Sequence, residues 1–164
     1  MISQLLTELK CDLTLPKCLQ IVGYLRRMQA FSTSELKLKF LQTRDSWLKE
    51  ILGNVSKNDA DQHRTRTIDI TRINLFNIIT QYKALFDDDS SKDSHTKLNL
   101  MFCSWLHEKI EDFLKTLDSD LANCNCSLMD IGSILAQCMY FGVSFSRIGI
   151  DFRAQLTPIF IKTI

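Results

Sequence analysis

Three short stretches carry residue types that could do chemistry. His107-Glu-Lys-Ile-Glu111 opens like the helical zinc-protease motif, in which two histidines four apart hold the metal and a glutamate serves as base. Glu111 stands where the second histidine belongs, so the ligand spacing of a tetrahedral zinc site is incomplete. Gly142-Val-Ser-Phe-Ser146 has the outline of a nucleophile elbow, but Ser146 replaces the second glycine and no strand precedes it. Cys124-Asn-Cys126 sets two thiols close together, with neither a second close pair nor a nearby histidine to complete a zinc site. No Gly-x-x-x-x-Gly-Lys or Gly-x-Gly-x-x-Gly occurs, so both common phosphate-cradling loops are missing. The residues imply no enzyme, no cofactor and no metal.

Nucleic acid is disfavoured on charge. Tyr24-Leu-Arg-Arg27 and Arg64-x-Arg66 are basic, yet 20 Lys+Arg against 19 Asp+Glu leaves a net charge of only +1. Specific binders carry a marked positive surplus. The charge is nevertheless uneven: Met1 to Phe86 holds 13 basic and 8 acidic residues, and Asp87 to Ile164 holds 7 and 11. A solvated face is the ordinary account of such asymmetry, and an electrostatic contact with a partner is the sharper one.

The elements that must carry these residues are helices. Apolar residues recur at helical spacing throughout, and no stretch alternates apolar and polar residues. Ile2, Leu5, Leu6 and Leu9 begin a first helix ending near Asp12, and Pro16 suits the first turn of a second. Ser32-Thr-Ser-Glu35 matches a capping box, with Phe31 and Leu36 spaced as a hydrophobic staple. Gly53 is placed to close that third helix in a left-handed conformation. A fourth helix follows the polar break 55–61 and carries Ile68, Leu75, Phe76, Ile79, Tyr82, Leu85 and Phe86. Residues 87–94 read as a flexible acidic loop. A fifth helix holds Leu98 through Leu117, and Ser127-x-x-Asp130 caps a sixth that runs to about Arg147. Gly149 breaks the chain before a last segment, Asp151 to Lys162, interrupted or kinked at Pro158. The expected fold is all-α: an elongated antiparallel bundle of six to seven helices, with residues 1–164 forming a single helical-bundle segment.

Composition narrows the setting. At 164 residues and 45% apolar content the chain needs no disulfide staples. Its six cysteines are therefore expected as buried or incidental thiols in a reducing compartment, and Asn54-Val-Ser and Asn125-Cys-Ser as accidental sequons. Ile131 to Ser146 is the longest stretch without charge; it falls short of the roughly 20 residues of a membrane span and reads as a buried helix. The start lacks the basic and apolar regions of a secretory signal, so the chain is expected to be soluble and unsecreted. Phe141, Phe145, Phe152, Phe160 and Ile164 concentrate apolar surface near the end of the chain, where the apolar face is expected to continue onto another segment or chain.

Four ordered blocks resemble a known family. They are Leu15-Pro-x-Cys-Leu-Gln-Ile-Val-Gly-Tyr-Leu-Arg-Arg-Met28, then Glu35-Leu-x-x-Lys-Phe-Leu-Gln42 with Arg44-Asp-x-Trp-Leu48, then Leu75-Phe-x-Ile-Ile-Thr-Gln-Tyr82, and last Gln137-Cys-Met-Tyr-Phe-Gly142 leading to Ser146-Arg-Ile-Gly149 and Asp151-Phe-Arg153. The chain in this respect is similar to subunit eight of the conserved oligomeric Golgi complex. That resemblance implies a helical-rod scaffold, without catalytic residues, peripheral on the cytosolic face of the Golgi membrane. It implies a part in capturing retrograde vesicles within the stack and so in retaining glycosylation enzymes. It also implies the other complex subunits as partners, with subunit one direct, and Golgi fusion proteins and small GTPases further out. The resemblance further implies that residues 1–164 are a segment of a longer tethering subunit, with a preceding helical region and a C-terminal remainder of the family expected outside it.

A secreted four-helix cytokine is the alternative, since it shares the length, the long helices and the even cysteine count. If single residues contact partners, the expected ones are Tyr24, Arg26 and Arg27 in one group and Tyr140, Arg147 and Arg153 in another. The plainer role for the arginines is to cap helix ends or to pair with local acids.

Overall fold

A computed structural model describes residues 1–86, 95–123 and 125–164, the side chains of 95–99 excepted. The expected acidic loop lies outside the described residues. Seven helices follow one another, with no strand among the described residues: α1 (Ile2–Glu8), α2 (Leu15–Arg27), α3 (Thr33–Gly53), α4 (Ala60–Phe86), α5 (His95–Ala122), α6 (Leu128–Ser146) and α7 (Arg153–Thr163). The all-α expectation holds.

Local chemistry sets most of the helix starts. Ser32 Oγ accepts from the Glu35 amide while Glu35 Oε2 accepts from the Ser32 amide at 2.8 Å, which closes the capping box of α3. The same reciprocal pair, Ser127 with Asp130, opens α6. Asp59 Oδ1 accepts from the amides of Asp61 and Gln62 and so starts α4. Pro16 lies in the first turn of α2, where its missing N–H costs nothing.

The helix ends differ from expectation. α1 stops at Glu8 because the next amides bond three residues back, Lys10 to Thr7 and Cys11 to Glu8, in the tighter 3₁₀ pattern. Gly53 takes no left-handed turn. It is the last residue of α3, and Asn54 continues in right-handed geometry, donating to Glu50 O at 3.1 Å. Among the described residues the left-handed positions are Gln29 (φ 49), just after α2, and Gly149 (φ 91), which breaks the chain after α6 as its sequence position suggested. α7 runs on through Pro158.

The chain divides into two compact units. Unit 1 comprises Met1–Asn54 and Ile73–Cys103. Its core gathers Cys18, Ile21, Val22, Leu25, Leu36, Phe40, Leu75 and Ile78, all at most 2% exposed. Tyr82 stacks on Phe102 with centroids 4.2 Å apart, and Phe40 meets Phe86 edge-on at 5.9 Å. Unit 2 comprises Val55–Arg72 and Ser104–Ile164. Phe141 is its centre, with Phe145, Phe152 and Phe113 at 4.7, 4.9 and 5.0 Å in edge-on or tilted arrangements. Such geometry adds about 0.5–1.5 kcal/mol per pair beyond the area buried.

Two expectations about apolar residues are corrected. Phe76 points outward, because its neighbours Leu75, Ile78 and Ile79 already occupy the buried face of α4. The charge-free stretch in α6 is only half a core helix. Within it Ile131, Ile134, Cys138, Phe141 and Phe145 are buried, whereas Met139, Tyr140 and Val143 are exposed, as are Leu128 and Met129 in the first turn of the helix. By length and composition alone α6 could cross a membrane, and 33% of its apolar window is buried.

Candidate functional site

The residues with chemical promise are committed to local structure. His107 Nε2 faces Glu111 Oε1 at 3.2 Å on the exposed side of α5. Ser144 Oγ donates to Tyr140 O at 2.9 Å within α6, the usual occupation of a mid-helix serine. Among the described residues no three His, Cys, Asp or Glu side chains converge on one point. Burial pushes the Cys18 thiol up to about 11 and the Cys138 thiol up to about 12, which keeps both protonated and unreactive. Cys11, Cys18, Cys103 and Cys138 are free thiols. Cys126 is disulfide-bonded, a correction to the expectation of thiols throughout. The burial argument covered cysteines within helices, and Cys126 sits in the connection before α6; Cys124 lies outside the described residues.

The expected contact residues fall in different environments. Tyr24 is exposed on α2, and the Arg27 guanidinium lies over its ring at 4.9 Å. Arg26 leaves that pair. Its Nη2 donates to the carbonyl of Leu85 at 2.5 Å in the last turn of α4, and its guanidinium lies 5.4 Å from the Phe86 centroid. This is a cation at a helix C-terminus, where the backbone dipole favours it. Tyr140 is 62% exposed, and the cation over its ring is Arg72 at 5.1 Å, not Arg147 or Arg153. Arg147 is the exposed residue that ends α6.

Arg153 grips Asp151 with both ends of its guanidinium, Nε at 2.8 Å and Nη2 at 2.6 Å. Those bonds hold the Asp151 carboxyl down at about 2. The stem of Arg153 lies across Gly142 of α6, so close that a Cβ there would collide with its Cγ.

Sequence reasoning missed the buried polar side chains. Arg44 is 0% exposed; its Nη1 donates to Leu9 O at 3.0 Å and Cys11 O at 2.7 Å, and its guanidinium stacks over Trp47 at 4.1 Å. Burial draws its pKa below the ordinary guanidinium value. Gln81, also buried, donates to Leu13 O at 2.9 Å. Together they fasten the α1–α2 connection to α3 and α4. The i,i+3 spacing of Arg44 and Trp47 was the available signal. Arg64, one of the basic pair weighed for nucleic acid, is buried and paired with Asp61.

The described residues define an all-helical chain with exposed aromatic, basic and apolar side chains. The chain belongs to the Dor1-like family, whose model matches residues 1–164. It is 52% identical to a protein of Drosophila melanogaster named conserved oligomeric Golgi complex subunit 8, over 100% of this chain and 30% of that one. Its counterparts of the same name in Homo sapiens and Dictyostelium discoideum are 45% and 38% identical, over 98% and 100% of this chain and 27% and 21% of theirs. The chain thus spans less than a third of the length of these curated relatives. No solved structure matches it. Membership along the whole chain leaves the cytokine alternative without support, although the disulfide at Cys126 is a feature it would have welcomed.

Proposed function

We propose that this chain is a helical, non-catalytic segment of a subunit of the conserved oligomeric Golgi complex, working in vesicle tethering at the cytosolic face of the Golgi. In that role it supports retrograde transport within the stack and so the retention of glycosylation enzymes. Its partners are the other subunits, subunit one directly, with Golgi fusion proteins and small GTPases acting on the assembled complex. Association with the membrane is peripheral and runs through the complex. The observation that carries this reading is the likeness to subunit 8 proteins along the entire chain. Helices that expose large apolar side chains on α2, α3, α4 and α6 suit it, since a scaffold joins its neighbours through such faces.

The test is co-purification. The tagged chain, expressed in cells whose own complex is intact, is expected to bring down other complex subunits, as read by quantitative mass spectrometry. Recovery of none, with helicity intact by circular dichroism, overturns the reading.

A further inference from the structure

We propose that the groove between α1 and α3 of unit 1 receives an acidic amphipathic helix of a partner subunit; the identity of the partner as a subunit rests on the function proposed above. α1 is the reason to look there. Its sequence supplies an apolar stripe, Ile2, Leu5, Leu6 and Leu9, yet only Leu9, past the helix end, is buried. Ile2 remains exposed, and Leu5 and Leu6 are half-buried. An apolar stripe this incompletely covered is short of a neighbour.

The groove itself says which neighbour. It encloses about 590 Å³, with Ile2 and Leu6 on the α1 wall and Lys39, Gln42 and Ser46 on one face of α3, and Lys10 stands at the end. Three of the four hydroxyls in the lining are already used within their own helices: Thr7 donates to Ser3 O, Thr43 to Lys39 O and Ser46 to Gln42 O, each at 2.9 Å. The two ammonium groups remain as the charged recognition elements, beside the Ser3 hydroxyl and the Gln42 amide. No acidic side chain lines the groove, and neither lysine has an ion pair among the described residues. Lys39 contributes only the weakest of the influences that hold the Glu35 carboxyl down.

An occupant must therefore be apolar along its middle and anionic at its edges. α1 is about 10 Å long, so two turns of a third helix lie along it with ridges set into the groove. A flat anionic bilayer fits less well, because the two lysines border a groove between two helices and not a flat surface.

The probe is a synthetic 16-residue helix with leucines at i, i+3, i+4 and i+7 flanked by glutamates, and a twin with lysines in place of the glutamates. The glutamate peptide is expected to shift the amide resonances of α1 and of residues 39–46 in the isotope-labelled chain. Lys10→Glu/Lys39→Glu is expected to weaken that peptide at least tenfold and to bind the lysine twin better than the unaltered chain does. Both lysines are exposed, so helicity should not change. Equal binding of either peptide to both chains, or shifts confined to other helices, overturns the proposal. So does binding of phosphatidylserine vesicles, but not of the peptide, through the same lysines. Co-purification separates the two readings. A double variant that still recovers the complex as fully as the unaltered chain defeats the groove and leaves the subunit role standing. If neither chain recovers the complex, the subunit role falls and with it the partner named for this groove.

Discussion

The two units tie their connecting segments in opposite ways. In unit 1 the stretch between α1 and α2 is held from inside: Arg44 and Gln81 reach it across 35, 33 and 68 residues of sequence and donate to the carbonyls of Leu9, Cys11 and Leu13. In unit 2 the turn between α6 and α7 is held by its own neighbours. Gly149 takes the left-handed angle, the Ile150 amide bonds back to Phe145 O at 3.0 Å, and Arg153 clamps Asp151 two residues away. A distant donor protects the buried carbonyls of Leu9 and Leu13, and losing it strands them. A local exposed clamp adds rigidity, and water replaces it easily.

That contrast can be broken by experiment, and the largest effect belongs to the aromatic core of unit 2. Phe141→Ala is expected to destabilise the protein by about 3–5 kcal/mol in urea unfolding, since it empties a site walled by three other phenyl rings. A loss under about 1 kcal/mol would mean that the cluster does not hold unit 2 together. Arg44→Met comes next, at about 1–3 kcal/mol, because the carbonyls of Leu9 and Cys11 lose their donor. Amide exchange should quicken in α1 and residues 9–14 and hardly change in α6. Unchanged or slower exchange there would show that burying the cation cost as much as its bonds returned.

Acid gives the smallest effect and divides the units. Asp151 at about 2 and Asp130 and Glu35, both lowered, are carboxyls whose charged forms the fold prefers. Their stabilisation is complete above the ordinary carboxylate range and drains away as pH falls through it toward 2. Two of the three lie in unit 2, so its amides should lose protection first. Asp151→Asn should narrow the gap. If unit 1 loosens first, the exposed clamp matters less than its geometry implies.

What was legible in the sequence was what neighbours decide. Ser32 with Glu35 and Ser127 with Asp130 announced two helix starts, because a cap is a contract between residues three apart. Gly149 marked a break for the same local reason. The inward reach of Arg44 and Gln81 could not be read, since nothing near them states which carbonyls lack partners. Gly53 misled because a right-handed Asn54 could finish the helix equally well. Among the residues expected to make contacts, Arg26 and Arg153 had local or terminal partners waiting, whereas Tyr140 found the cation of Arg72, 68 positions earlier in the chain. The groove beside α1 was visible only as an apolar stripe whose coverage depends on the fold.

The bare backbone at Gly142 beneath the stem of Arg153 binds the fates of two positions eleven apart. A methyl group gained at the first would evict the arginine and orphan Asp151, so neither site is free to drift alone. Among descendants of a common ancestor they should be inherited as a matched set, a small residue under a long one, or be exchanged together.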